Sequence, residues 1–245
     1  TYYKFKIGKT GLYRISQSAL ASIGLGTTPV EYFQLWRNGE QVRLYTSSPS
    51  GSLGPSGYIE FLGKMNDGVP DKPLYLKPGF QLCDSFSLHT DTASYFLTVD
   101  QFSTSLRFTD AVNDVASNTL APDPFFYRTI AQPYRAQYNR GYAVYVGELV
   151  YSSSYDIGEG WTSADVAPCC DLFKNFSDLN VYTAGPAKGV SLDIAAFGNA
   201  LNVRNLRVKF YNNEVLNTTM NFYDTVKKHI DSIPLTYLPA SGNLQ

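Results

Sequence analysis

Apolar and polar residues alternate along most of this chain, and glycine, proline, asparagine or aspartate interrupts the alternation at spacings of about 10 to 12 residues. A period of two sends one parity of side chains to a buried face and the other to water, so it demands strands. Strands so closely spaced, without helices between them, demand antiparallel sheets rather than parallel crossover units. The sharpest instance is residues 33–45, where alternating runs flank Asn38-Gly39. That pair suits the two positive φ angles of a type I′ turn, so a hairpin is expected there. Tyr and Phe supply most of an aromatic share of 15%, and aromatic side chains fit the pleated, half-buried surface of a sheet. The fold class expected is therefore all-β, with antiparallel β-sandwich-like domains.

Tyr3, Phe5 and Ile7 share one parity, and alternation resumes after Gly11 through Ile15, which reads as a first hairpin or as one bulged strand. Residues 16–23 break the pattern. Ser16 can cap, Leu20 and Ile23 fall three apart, and Gly24 can end a turn, so one short helix is expected. Residues 46–57 are mostly Ser, Gly, Pro and Thr and are expected to be a loop that adds nothing to the core. Strands are expected at 58–62, near 74–76 and at 94–99, with a turn over Asn66-Asp67-Gly68 and Pro70. Further strands are expected at 142–151, 191–196, 203–210, 215–222 and 226–235.

A length of 245 residues against about 150 per domain favours two domains. The weak stretch 113–124, which contains Asp123-Pro124 and few large apolar residues, marks the expected boundary. The expected domains are 1–120, an amino-terminal β domain, and 121–245, a second, jelly-roll-like β-sandwich. Charged residues make up 17%, below the usual quarter or so, which argues against disorder. A formal charge of −1 provides no positive field to gather phosphates, so no nucleic-acid partner is expected. No run of about 18 apolar residues occurs, so no transmembrane segment is expected, and the start lacks an apolar signal core.

Chemistry-bearing residues are sparse. Three cysteines are too few for a disulfide framework, and neighbours such as Cys169 and Cys170 would point to opposite faces of a strand. They are expected to be free and mostly buried; at most Cys83 pairs with one of them. His89 and His229, the two histidines, have no zinc-site spacing, and Asn66, Asp67 and Asp71 lack the ligand alternation of a calcium loop, so no metal and no cofactor are expected. No Gly-x-Ser-x-Gly is present, and the glycines of 51–57 have no following Gly-Lys-Ser/Thr. Glu148, Asp156 and Glu159 are close in sequence but read as turn and rim residues rather than as a glycosidase pair. No catalytic residue is therefore expected. Trp161, at the end of Gly158-Glu159-Gly160-Trp161, stands out. An aromatic on a glycine-rich loop can stack on a sugar ring, with Glu159 beside it, or it can plug one end of a sandwich. The plug is the favoured reading.

Several segments combine into a resemblance. Residues 3–7 followed by 11–15, then residues 33–39, are similar to the amino-terminal region of the C25, gingipain-like, cysteine peptidase family associated with type IX secretion in Bacteroidetes. Further blocks agree in order: Tyr58 to Phe61 through Gly63-Lys64 to Asn66-Asp67-Gly68 with Leu74-Tyr75; Thr90 to Ala93 with Tyr95 to Thr98; and Gly158 to Trp161. The resemblance implies non-catalytic β domains preceding a caspase-like peptidase domain, in a periplasmic, outer-membrane-associated or secreted protein. The peptidase motifs themselves are missing, so no catalytic residue carries over. The chain stops at Gln245, where such a protein would continue, which reads as a fragment. Asp91-Thr92-Ala93, Asp224-Thr225-Val226 and Asp231-Ser232-Ile233 also match the Asp-Ser/Thr-apolar pattern that exported proteins of this group O-glycosylate. The leading functional expectation is a non-enzymatic region that positions or shields a downstream peptidase domain. The alternatives are an adhesion or carbohydrate-binding module for a cell-surface protein or glycan, and a catalytic domain in its own right.

Overall fold

A computed structural model describes residues 1–117, 119–153, 155–185 and 189–245. The chain is all-β, divided into two compact units. The first comprises Thr1–Asp67 and His89–Thr119, and the second comprises Gly68–Leu88 and Leu120–Gln245.

The first unit holds β1 (Tyr3–Ile7), β2 (Gly11–Ser16), α1 (Gln17–Ser22), β3 (Phe33–Arg37), β4 (Glu40–Val42), β5 (Tyr45–Thr46), β6 (Tyr58–Gly63) and β7 (Ala93–Val99). One antiparallel sheet runs β1-β7-β3-β4 and the other β2-β6-β5. Consecutive β1 and β2 thus enter different sheets, which corrects the expectation of a hairpin or a single bulged strand. Parity was legible there, but the partner residues lie more than 40 positions away, from Ser16–Tyr58 in one pairing to Tyr3–Leu97 in the other, and local sequence carries no trace of them. The two sheets meet through aromatic rings. Phe61 of β6 lies 5.7 Å from Phe5, 5.6 Å from Tyr95 and 5.7 Å from Tyr13. Such pairs add about 0.5–1.5 kcal/mol each beyond the area they bury. Tyr95 is buried, and its hydroxyl is satisfied at both ends: it accepts from the Lys64 amide at 2.7 Å and donates to the Lys64 carbonyl at 3.1 Å.

The hairpin and the helix form as the sequence predicts. Asn38 and Gly39 have φ of 50° and 80°, and Leu35, Trp36 and Arg37 pair with Val42, Gln41 and Glu40. Ser16 caps α1 by accepting from the Ala19 amide at 3.2 Å, and Gly24 leaves the helix at φ 82°. Leu20 is buried while Ile23 is exposed. The 46–57 loop does contribute to the core, contrary to expectation, because Leu53 is buried among Leu44, Ile59 and their neighbours. Beyond β7, Arg107 is drawn into the unit. Its guanidinium donates to the Val30 and Phe33 carbonyls at 2.6 and 2.9 Å, and burial pushes its pKa down.

The second unit is built of antiparallel pairs: β8 (Gln137–Arg140), β9 (Ala143–Tyr145), β10 (Leu149–Tyr151), β11 (Glu159–Thr162), β12 (Phe176–Asn180), β13 (Val190–Gly198), β14 (Arg204–Phe210), β15 (Asn213–Met220), β16 (Asp224–Ile233) and β17 (Ser241–Leu244). The pairs nest. β14–β15 lies inside β13–β16, which lies inside β12–β17, and β9–β10 lies inside β8–β11. Each pair is a two-stranded sheet of this unit. Phe210, Ile233 and Leu244 form its small buried core, with Phe176, Val190 and Leu192 against them.

Two expected strands take other forms. Residues 142–151 are not one strand but the β9–β10 hairpin, turned at Gly147 with φ 94°. The strand expected near 74–76 shrinks to an isolated bridge between Tyr75 and Tyr155, directly after a 3-10 helix, Val69–Leu74. Pro70 and Pro73 lack the amides a ladder needs.

Candidate functional site

The region around Trp161 is assembled by the β8–β11 ladder and by the segment Gly68–Leu88. β11 pairs with β8 so that Trp161 is opposite Tyr138 and Glu159 opposite Arg140. Glu159 and Trp161, two residues apart on one strand, point to the same face. Tyr138 joins them there: its ring meets the Trp161 indole edge-on at 5.4 Å, and its hydroxyl donates to Glu159 Oε1 at 2.8 Å. The second carboxylate oxygen of Glu159 accepts from the Asp156 amide at 3.2 Å, and the Glu159 carbonyl accepts from the Tyr75 hydroxyl at 2.7 Å. Burial, together with the Glu159 charge, pushes both tyrosine hydroxyls far above their ordinary pKa, so both remain donors.

Trp161 is partly buried. Its indole N–H donates to the Ser87 carbonyl at 3.0 Å, and the Arg135 guanidinium stands 4.7 Å over its ring and 5.5 Å over Phe86. A cation over an indole face is worth about 0.5–2 kcal/mol depending on its exposure. The glycines of the same motif serve packing. Gly158, at φ 79°, has no room for a Cβ, which would come within 2.1 Å of the Phe197 ring. Gly160, at φ 139°, runs beside the Tyr75 hydroxyl, which a Cβ would approach to 3.3 Å.

Trp161 and Glu159, the sequence-predicted pair, are thus brought together. Tyr138, Arg135, Tyr75 and Ser87 complete the cluster and were missed. The one local signal was the short alternating run before Gly141, where Tyr138 lies. Arg135, Tyr75 and Ser87 carry no local signal, because they reach Trp161 only through tertiary pairing.

The other candidates are scattered. His229 bridges two carboxylates, Asp193 at 2.7 Å and Asp231 at 2.8 Å. Asp71 is buried, and one of its carboxylate oxygens accepts from the Leu88 amide at 2.7 Å. The side-chain amide of Asn66 donates to the Thr92 carbonyl at 3.2 Å. Among the described residues no group of three or more His, Cys, Asp or Glu is placed to hold a metal ion. Cys83 is half-buried, whereas Cys169 and Cys170 are exposed, which corrects the expectation that the thiols are mostly buried. They lie in a turn, and their sulfurs are 2.8 Å apart rather than on opposite faces. Of the three Asp-Ser/Thr-apolar hydroxyls, Ser232 is exposed while Thr92 and Thr225 are partly buried. No helix among the described residues is long and apolar enough to cross a membrane. No protein-family model, curated protein or solved structure matches the chain.

Proposed function

We propose that this chain is a non-catalytic β region of an exported, C25 peptidase-like protein, and that it positions or shields a downstream peptidase domain of the same polypeptide. The observation that carries this reading is the β9–β10 hairpin. Val144 and Val150 pair on one face of this two-stranded ribbon and Tyr145 and Leu149 on the other. All four are exposed, as is Val146 at the turn. Scattered exposed apolar residues are ordinary, but a contiguous set on both faces of one ribbon marks a surface built to lie against another. An isolated two-stranded ribbon is also marginal in water and gains stability from such a cover.

The segments that carry the family resemblance fall mainly on β1, β2, β3, β6 and β7, whose inward residues form the core of the first unit. The resemblance therefore bears on architecture and brings no chemistry with it. The surroundings of Cys170 and His229 support a non-catalytic role for these two residues. A hydrogen bond with Cys169 pushes the Cys170 thiol up, and His229 is engaged at both ring nitrogens by carboxylates. An activated dyad needs the reverse: a lowered thiol pKa and a histidine turned to the sulfur. The compartment that accompanies this reading is the periplasm, the outer-membrane surface or the exterior.

The test uses the full reading frame past Gln245. After proteolysis between the β region and the following domain, the two pieces are expected to stay associated, and Tyr145→Ser with Leu149→Ser is expected to release them. Residues 1–245 alone are expected to turn over no Arg-, Lys- or sorting-signal peptide. A reading frame without a peptidase domain, or pieces that separate equally with and without the substitutions, would overturn the proposal.

A further inference from the structure

Ala167, Pro168, Cys169 and Cys170 form a tight turn in the second unit. The Cys170 amide donates to the Ala167 carbonyl at 2.9 Å, closing it, and Ala167 and Cys170 form an isolated antiparallel bridge. Proline in the second position presets the φ such a turn requires. On a strand, adjacent side chains diverge; this turn instead brings the two sulfurs within 2.8 Å of each other. Both cysteines are exposed, so a small reagent reaches them without unfolding. Cys83, half-buried, accepts a weak hydrogen bond from the Ser85 amide at 3.5 Å and serves as an internal reference thiol.

We propose that Cys169 and Cys170 are a vicinal dithiol that converts reversibly to an intramolecular disulfide by exchange with a low-molecular-weight disulfide. The chemistry takes two displacements. One cysteine, as its thiolate, attacks a sulfur of the small disulfide. That S–S bond breaks, a mixed disulfide forms, and one small thiolate leaves and takes a proton from water. The neighbouring cysteine then gives its proton to water and attacks the protein-side sulfur of the mixed disulfide, expelling the second small thiolate. Two protein thiols are oxidised to one disulfide, and the small disulfide is reduced to two thiols. Prepositioned sulfurs make the second displacement unimolecular and fast, so the mixed disulfide does not accumulate. Excess small thiol reverses both steps.

Oxidised glutathione is the probe. The native chain is expected to lose the mass of two hydrogen atoms with no glutathione retained on Cys169 or Cys170. Peptide mapping should place the bond between these two cysteines, and Cys83→Ser should behave identically. Cys169→Ser and Cys170→Ser should each keep one glutathione on the remaining cysteine of the pair. Ring closure should be at least about tenfold faster in the native chain than in urea, since only the folded turn holds the sulfurs together. A stable glutathione adduct on either cysteine of the unsubstituted pair would overturn the proposal. So would a bond involving Cys83, a disulfide-linked dimer as the main product, or equal closure rates with and without urea.

Discussion

His229 and Asp193 are register partners across the β13–β16 ladder, with the imidazole Nδ1 2.7 Å from Asp193 Oδ1. Asp231, two residues on along β16, takes the other ring nitrogen at 2.8 Å. The hydrogen bonds to Asp193 and Asp231 raise the His229 pKa above its ordinary 6.5. A histidine whose pKa is raised by folding adds stability that is fully present below the unfolded-state value and is lost as pH rises through the folded value. The thermal midpoint is therefore expected to fall across a window that starts near 6.5 and extends above it, and His229→Gln is expected to flatten that part of the profile. The three side chains are exposed, so the effect is small and should weaken with added salt. A His229 resonance, assigned by its loss in His229→Gln, that titrates at or below 6.5 in the folded chain would contradict this.

Leu53 is the one large apolar residue of a loop otherwise made of small and polar residues, and it is 7% exposed. Leu53→Ala is expected to destabilise the first unit by about 2–3 kcal/mol, the lower part of the range for buried leucine because a loop can partly collapse onto the cavity. Leu12, 70% exposed on β2, is the control, and its replacement by Ala should stay within about 0.5 kcal/mol. Denaturant unfolding of the two variants side by side checks the difference.

Gly158→Ala is expected to be among the more damaging single-methyl additions in the second unit. It combines a positive φ with a Cβ driven into the Phe197 ring. Overpacking costs about 1–3 kcal/mol, and the backbone strain adds about 1 kcal/mol. Phe197→Ala should relieve the overpacking, so the double variant is expected to lose less than the sum of the singles; strict additivity would mean that the ring is not the obstacle.

What was legible in the sequence was whatever one short segment decides for itself. Asn38-Gly39 specifies its own turn, Ser16 and Gly24 bracket their own helix, and the parity of Tyr3, Phe5 and Ile7 survives as their common inward face. Partner choice was not legible: nothing near Gly11 says that β2 pairs with β6 while β1 pairs with β7. Pro70 and Pro73 sit in the 3-10 helix Val69–Leu74, and of the strand candidate that follows only Tyr75 forms a bridge, because a ladder cannot start through residues that lack amides. The cysteine geometry was misread for a related reason, since Pro168 makes a turn where a strand was assumed. At the candidate site, Trp161 and Glu159 were visible through their glycine-flanked motif. Arg135 over the indole was not, because cation–π contacts leave no sequence spacing.

Trp161 therefore provides the test that separates a packing role from ligand stacking. Its indole N–H is spent on Ser87, Arg135 covers a face of the ring and Tyr138 meets it edge-on. Truncation removes aromatic area, the cation–π contact and a hydrogen-bond donor. The side chain is partly rather than fully buried, so the expected loss for Trp161→Ala is about 2–4 kcal/mol, near the lower end for core aromatics. Arg135→Ala should reproduce about 0.5–1 kcal/mol of it, and the double variant should lose less than the two singles together. Tyr138→Phe breaks only the bond to Glu159 and should cost about 1 kcal/mol. A sugar-stacking tryptophan behaves differently: its truncation abolishes a saturable interaction on a glycan array while leaving the unfolding midpoint almost unchanged. A stability loss below about 1 kcal/mol together with lost glycan binding would assign the site to recognition, since an aromatic that supports the fold cannot be removed so cheaply.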